Sequence, residues 1–343
     1  MTESSAPTDW LLASDEPAVR HRTRTWVLDQ SEADPAVHRD RDVAPDGPIV
    51  STLLDFPDPA VNPYRKWFGL HWRLVSLADF DLPMDRADVR ARLDAAIDRE
   101  LSWIANPRSL DGRKPRPDGL YLSDASMEGN AVYAASRFGH EADERTRRLV
   151  ARLLEWQWPD GGWDCDRDAS GYRSSFHESW ATAIGLAAYH HATGETDALA
   201  AARRTAELLL EHRLFRSLQT AHPIHPSFVA LHWPAFWHYD FLGGLRVLDA
   251  VGMLSDPRAA DALDLLESLQ LPDGRFQATR AWWQAPTRET SAVDVIDWGK
   301  GRPSEVLTLH ALRALKAAGR RGVYAGATTG RPTSRAASAR RTS

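Results

Sequence analysis

Leu153-Leu154-Glu155-Trp156-Gln157-Trp158-Pro159-Asp160-Gly161-Gly162-Trp163 is the stretch on which the fold turns. It reads as the end of an amphipathic helix, a glutamine, a Pro-Asp-Gly-Gly turn and a tryptophan. Pro presets φ, Asp bonds its own backbone and Gly takes positive φ, so the turn has a physical basis. A second copy, Leu265-Leu266-Glu267-Ser268-Leu269-Gln270-Leu271-Pro272-Asp273-Gly274-Arg275-Phe276, keeps the same register. In both, a Gln and an aromatic flank the turn, placed to tie one helix end to the next. Two copies predict an internal repeat.

Outward from these turns, apolar and charged helical patterns alternate. A helix over 67–78 is apolar nearly all round and should be buried. The next, over 85–104, sets Val89, Leu93, Ala96, Ile97 and Leu101 at helical spacing among charges. The alternation recurs: 127–135 buried and 142–156 amphipathic, 176–186 and 197–212, 236–245 and 257–269, then 303–312 buried. Strand signals are scarce, so the class is all-α. The hairpins can stack as an open solenoid or close into a ring. The apolarity of the inner helices, with no obvious polar cap, favours a closed α/α toroid over 56–318. Residues 1–55, rich in Asp, Pro, Arg and Ser, read as a loosely ordered, partly disordered strap with one short helix near 17–30. Residues 319–343 read as a disordered basic tail.

A net charge of -5 implies no pull toward nucleic acid or anionic membrane. The single cysteine, Cys165, rules out an internal disulfide and suits a reducing cytoplasm. No apolar run in the sequence is long enough to span a bilayer, and 1–7 lack the features of a signal peptide. A cytoplasmic protein is expected, with weak contact at a membrane surface left open. Fourteen tryptophans, several beside His or acidic residues, suggest either an aromatic-lined cavity or a Trp-rich core.

The Gln-x-Pro-Asp-Gly-Gly-Trp copies resemble the QW repeat of squalene-hopene and oxidosqualene cyclases, whose helical scaffold is shared by protein prenyltransferase β subunits. The resemblance spans about 60–318 and extends to the helix openings Ser174-Ser175-Phe176-His177-Glu178 and Phe236-Trp237-His238-Tyr239-Asp240. Overall the chain is similar to bacterial squalene-cyclase-like single toroids. The resemblance implies an α/α toroid with its cavity at one end of the inner barrel. It is specific for fold and poor for function.

In a closed ring the starts of the inner helices would converge. That gathers Glu128, Glu178, His238, Asp240 and Glu305 as candidates for acid–base catalysis. His71, Trp72, Trp180, His232 and Trp237 become candidates for substrate contact, the tryptophans by cation–π or apolar packing. An acidic residue at a helix start is equally ordinary capping. Cys165 reads either as a buried inert thiol or as a thiolate zinc ligand with His177, His238 and a carboxylate. An Asp-Cys followed by a distant His is similar to the prenyltransferase zinc site, although Asp164 and Cys165 adjoin where that family has one residue between. Asp164-x-Asp166-x-Asp168 resembles, out of register, the acid of squalene-hopene cyclases. The Asp-Asp-x-x-Asp run that binds magnesium diphosphate in other terpene synthases is not found in the sequence. The implied function is a terpenoid cyclase or prenyltransferase-like enzyme for an isoprenoid or other apolar substrate, by acid–base or metal-assisted chemistry. The alternatives are a carbohydrate-active α/α barrel, a glycosidase or lyase, and a ligand-binding toroid without catalysis.

Overall fold

The computed structural model describes residues 7–106, 110–166, 173–286 and 292–320. Among them thirteen α-helices carry the fold, and no strand is longer than an isolated bridge. The class is all-α. None of the described helices is long and apolar enough to cross a membrane.

Four short helices come first: α1 (Pro7–Leu12), α2 (Pro17–Arg22), α3 (Pro35–Asp42) and α4 (Pro48–Leu54). Then core and flanking helices alternate. The core helices are α5 (Leu70–Asp79), α7 (Ala125–Arg137), α9 (Phe176–Thr193), α11 (Phe241–Ala250) and α13 (Glu305–Ala317). The flanking ones are α6 (Ala87–Ile104), α8 (Glu144–Trp156), α10 (Thr196–Glu211) and α12 (Ala260–Ser268). The patterns explain the division. α5 is buried at every position. α8 buries only Thr146, Leu149, Val150, Leu153 and Trp156, one stripe at helical spacing, and turns its arginines to water. Each fully buried leucine of such a stripe contributes about 1.5–3 kcal/mol.

The core helices pack in sequence order, α5 on α7, α7 on α9, α9 on α11 and α11 on α13. The closest approach is between α7 and α9. A Cβ on Gly185 would lie 2.2 Å from the carbonyl oxygen of Gly129, and one on Gly129 2.4 Å from the Thr182 Cα, so both positions need glycine. Of the N-terminal segment, α2 and a π-helical turn, Thr23–Val27, pack on α13, and α4 packs on α5.

The repeated turns act as ties. Gln157 donates to the carbonyls of Gly161 (2.8 Å) and, on α10, Ala201 (2.9 Å), and accepts from Arg204 (2.7 Å). The Trp163 indole donates back to Leu153 on α8 (3.0 Å). In the second copy Gln270 donates to Gly274 (2.9 Å), and the Phe276 amide donates to Thr308 on α13 (2.9 Å). Gly161 and Gly274 take φ of 99° and 84°, as the turn reading requires.

Two expectations change. The segment 7–54 is helical and packed, with Leu11, Val19, Val37 and Val50 fully buried. Its polar composition hides local pairing: the buried Glu16 carboxylate accepts the Ala18, Ile49 and Val50 amides at 2.7–3.3 Å. The fourth core helix starts at Phe241 rather than 236, because Asp240 is its N-cap, accepting from Gly243 at 2.9 Å. Residues 321–343, the expected tail, and Asp168 lie outside the described residues.

Candidate functional site

The polar residues at the core-helix N-termini each take a separate partner rather than pooling, and His71 Nε2, His232 Nε2 and His238 Nδ1 are buried with no hydrogen-bond partner. His71 Nδ1 meets Glu100 on α6 at 2.6 Å, both side chains almost wholly buried. Glu128 accepts from Arg113 (2.6 Å) and Ser123 (2.5 Å); burial pushes its carboxyl up while Arg113 pulls it down. Glu178 accepts the Ser126 amide at 2.8 Å and the Cys165 thiol at 3.4 Å, and burial raises it too. Asp240, besides capping α11, accepts from the backbone (2.9 Å) and Nδ1 (3.1 Å) of His232. Glu305 sits apart, bonded to Ser14 at 2.6 Å.

The expected chamber at this end is filled by rings. His238 lies between Trp237 and Trp282, each 3.8 Å away between centroids. Trp67 stacks on Phe236 at 4.8 Å and meets Trp72 edge-on. Trp180 donates to the Trp237 carbonyl at 3.0 Å. Burial, with His177, His232 and Lys66 near, drives His238 down to about 2. His177 accepts the Tyr239 amide at 2.8 Å, and burial brings it to about 4.

The zinc reading is corrected by the same geometry. Among the described residues no three His, Cys, Asp or Glu side chains gather to hold a metal ion. Cys165 is bonded to Glu178, and burial beside that carboxylate pushes its thiol up to about 12. It is a neutral thiol, with His177 committed to a backbone amide and His238 to a ring stack.

The open space is at the other end. A cavity of about 430 Å³ takes its walls from the C-terminal halves of all five core helices. Ala78 and Asp79 come from α5, Tyr133 and Arg137 from α7, Ile184, Ala187, Ala188 and His191 from α9. Arg246, Asp249 and Ala250 come from α11, and His310, Arg313 and Ala314 from α13. Asp81 follows α5, and Trp26 comes from the N-terminal segment. Apolar wall and charge alternate because core helices of small residues carry isolated charges that pair across the space.

The central pair is Asp79 with Arg246, joined by the Tyr133 hydroxyl, which donates to the Ala78 carbonyl (3.1 Å) and to Asp79 (3.4 Å). Burial raises the Asp79 carboxyl, and Arg246 and Tyr133 pull the other way. Burial also raises the Tyr133 phenol, so it stays a neutral donor. Arg137 and Arg22 share Asp81, and Arg313 meets Asp249 at 2.9 Å. Cations lie over the indoles: Arg313 over Trp26 at 4.4 Å, Arg22 over the same ring at 5.5 Å, Arg246 over Trp180 and Trp233 at 5.8 Å. His310, stacked on Trp233 at 4.8 Å, is held neutral by burial and by Arg246 and Arg313.

None of the side chains picked from the helix openings lines this cavity. A signal for the cavity was present in the sequence. Asp79, Arg246, His310 and Arg313 are charged or titratable residues inside otherwise apolar helices, and such residues are costly unless paired. No family model matches the chain, and no curated protein matches it.

Proposed function

We propose that the chain is a toroid-type enzyme of the terpenoid cyclase or prenyltransferase kind, acting on a compact isoprenoid-like substrate by acid–base chemistry in the C-terminal chamber. The observation that carries the reading is the shared lining: five core helices point their C-terminal ends, together with Asp79, Asp81 and Asp249, at one space with Trp26 in its wall. Helix C-termini carry partial negative charge. They favour positive charge developing on an apolar substrate, as they already favour the arginines paired with Asp79, Asp81 and Asp249. The guanidiniums already over Trp26, Trp180 and Trp233 are what such surroundings select. Ala187, Ala188, Ala250, Ala314 and Ile184 offer the substrate body an apolar wall. Asp79, raised by burial and bonded to Tyr133, is the group placed to give or take a proton.

The carbohydrate reading has less support. It calls for a free pair of carboxylates beneath an open indole face, whereas each cavity carboxylate is engaged by an arginine and Trp26 carries two guanidiniums.

The charge preference is tested by binding N,N-dimethyldodecylamine, protonated at neutral pH, against dodecanol of the same chain length. The amine should bind at least about tenfold tighter to wild type, and Ala187→Trp, which fills the chamber, should bind neither. Equal binding of the two probes, or unchanged binding by Ala187→Trp, would overturn the reading. Squalene and farnesyl diphosphate, followed by mass spectrometry of the products, then test turnover.

A further inference from the structure

The walls of the chamber differ in character. α5, α7, α11 and α13 each bring an Asp or an Arg to it, and α9 alone brings neither. Its contribution is Ile184, Ala187, Ala188 and His191, at i, i+3, i+4 and i+7, one face of a helix. That face runs from the inside outward. Ile184 is 8% exposed and Ala187 is buried, Ala188 is half-buried, and His191 is exposed. The walls beside it grade the same way: on α5 Ala78 is buried and Asp81, just past it, half-buried, and on α11 Arg246 and Asp249 are half-buried where Ala250 is exposed. The chamber therefore has a closed floor, an open rim and one apolar face joining them. Seven residues of helix make that face about 10 Å long. Its side chains are short, so the space beside 187 and 188 is left to a ligand.

The volume sets how much ligand. Benzene occupies an apolar cavity of about 150 Å³, which assigns about 25 Å³ to each carbon. On that scale a space of about 430 Å³ holds about seventeen carbon-sized groups, head included. We infer that the chamber takes an isoprenoid amphiphile of about ten to fifteen carbons, its tail laid along α9 toward Ile184 and its polar head at the rim beside His191, and that Ile184 and Ala187 set the length. This rests on the chamber being the ligand site. It also ranks the substrates: a fifteen-carbon chain is covered, whereas a thirty-carbon chain such as squalene leaves about half its carbons in water, where they gain nothing from burial.

The test is a homologous series of N,N-dimethylalkylamines, octyl to octadecyl, bound to the full chain below their aggregation concentrations. Affinity should rise about three- to fourfold per methylene and level off near a tail of about fourteen carbons, the three heavy atoms of the head taking the rest. Ala187→Leu adds three carbons to the wall and should bring the break to about eleven; Ile184→Ala removes three and should move it to about seventeen. Ala250→Leu, at the exposed rim, should leave it in place. The two shifts have opposite sign, so either variant, shown folded by circular dichroism, decides the matter. If affinity climbs unbroken to octadecyl, or the break ignores both substitutions while the amine still outbinds its alcohol, the length rule is wrong and the chamber reading stands. If no member of the series binds, both fall.

Discussion

Asp79 and Arg246 meet in the chamber wall with side chains only 10% and 14% exposed, and the Tyr133 hydroxyl reaches the same carboxylate. Asp79→Asn keeps an oxygen for Tyr133 but leaves a buried guanidinium facing a neutral amide. Arg246→Met fills the space and leaves a buried carboxylate. Removing one partner of a buried pair costs about 3–5 kcal/mol, whereas replacing both by well-packed neutral groups is close to neutral. The two single variants should therefore each lose about 3–5 kcal/mol, and the double variant about 2 kcal/mol or less, part of that from the cation–π contacts to Trp180 and Trp233. At about 2 °C per kcal/mol for a chain of this size, each single should melt about 6–10 °C low and the double about 4 °C low. Urea unfolding followed by tryptophan fluorescence, with thermal melts alongside, gives the cycle. Additive losses would mean the two charges do not depend on each other, and the assignment of this pair as the chamber's electrostatic centre would fail. The cycle also separates roles: activity missing in a stable double variant is catalytic loss, not unfolding.

Four further outcomes are expected. Gly185→Ala forces a Cβ to 2.2 Å from the Gly129 carbonyl and should cost about 3 kcal/mol, whereas Gly194→Ala, with open space but φ of 78°, should cost about 1 kcal/mol; paired melts compare them. Gln157→Ala strips bonds to Gly161, Ala201 and Arg204 and should cost about 1–3 kcal/mol, with hydrogen exchange rising first in the 157–163 turn. His177 is held at about 4 against an ordinary 6.5, so between those values the unfolded chain binds a proton that the folded chain refuses. Its stabilisation is complete above pH 6.5 and fades at up to about 1.4 kcal/mol per pH unit as pH falls toward 4. His177→Asn, which retains an acceptor for the Tyr239 amide, should flatten that limb in pH-dependent urea titrations, and an unchanged slope would count against it. Cys165, its thiol pushed up to about 12, should react with iodoacetamide at pH 8 at least about tenfold more slowly than free cysteine.

Much of the fold is written in local patterns. The alternation of apolar and one-sided helices follows from which residues face the core, and the Pro-Asp-Gly turns carry their own conformation. The Gln ties were legible as well, since Gln157 and Gln270 each close on the carbonyl of the turn glycine four residues on. The packed N-terminal helices were not. Glu16, Asp34 and Asp40 look solvating in sequence, yet Glu16 is buried under backbone amides, Asp34 caps α3, and Asp40 clamps Arg20 and Arg24. Composition registers their polarity and misses their partners. The site was misplaced for a related reason. Acids and histidines at helix starts look like a converging constellation, but each met a nearer demand: Asp240 a cap, Glu178 the Ser126 amide, His71 a carboxylate on the next helix.

Why the space lies at the C-terminal ends follows from how the chain is connected. The first four core helices leave through short turns into their flanking helices: Asp79 to Ala87, Arg137 to Glu144, Thr193 to Thr196, Ala250 to Pro257. Too little chain is available there to cover the helix ends. The last four core helices are reached by long connections: Ile104 to Ala125, Trp156 to Phe176, Glu211 to Phe241, Ser268 to Glu305. Their described parts carry Trp158, Trp163, Phe236, Phe276 and Trp283, all buried, and Trp163, Phe236 and Phe276 bond or stack at the N-terminal ends of core helices. A loop of that length cannot stay in water with so many indoles exposed, and the nearest apolar surface is the helix ends it joins. The open end then presents five negatively polarised termini, and arginines collect there for the reason given by the helix dipole. Connection length therefore decides which end is closed, and the dipoles decide what charge the open end will hold.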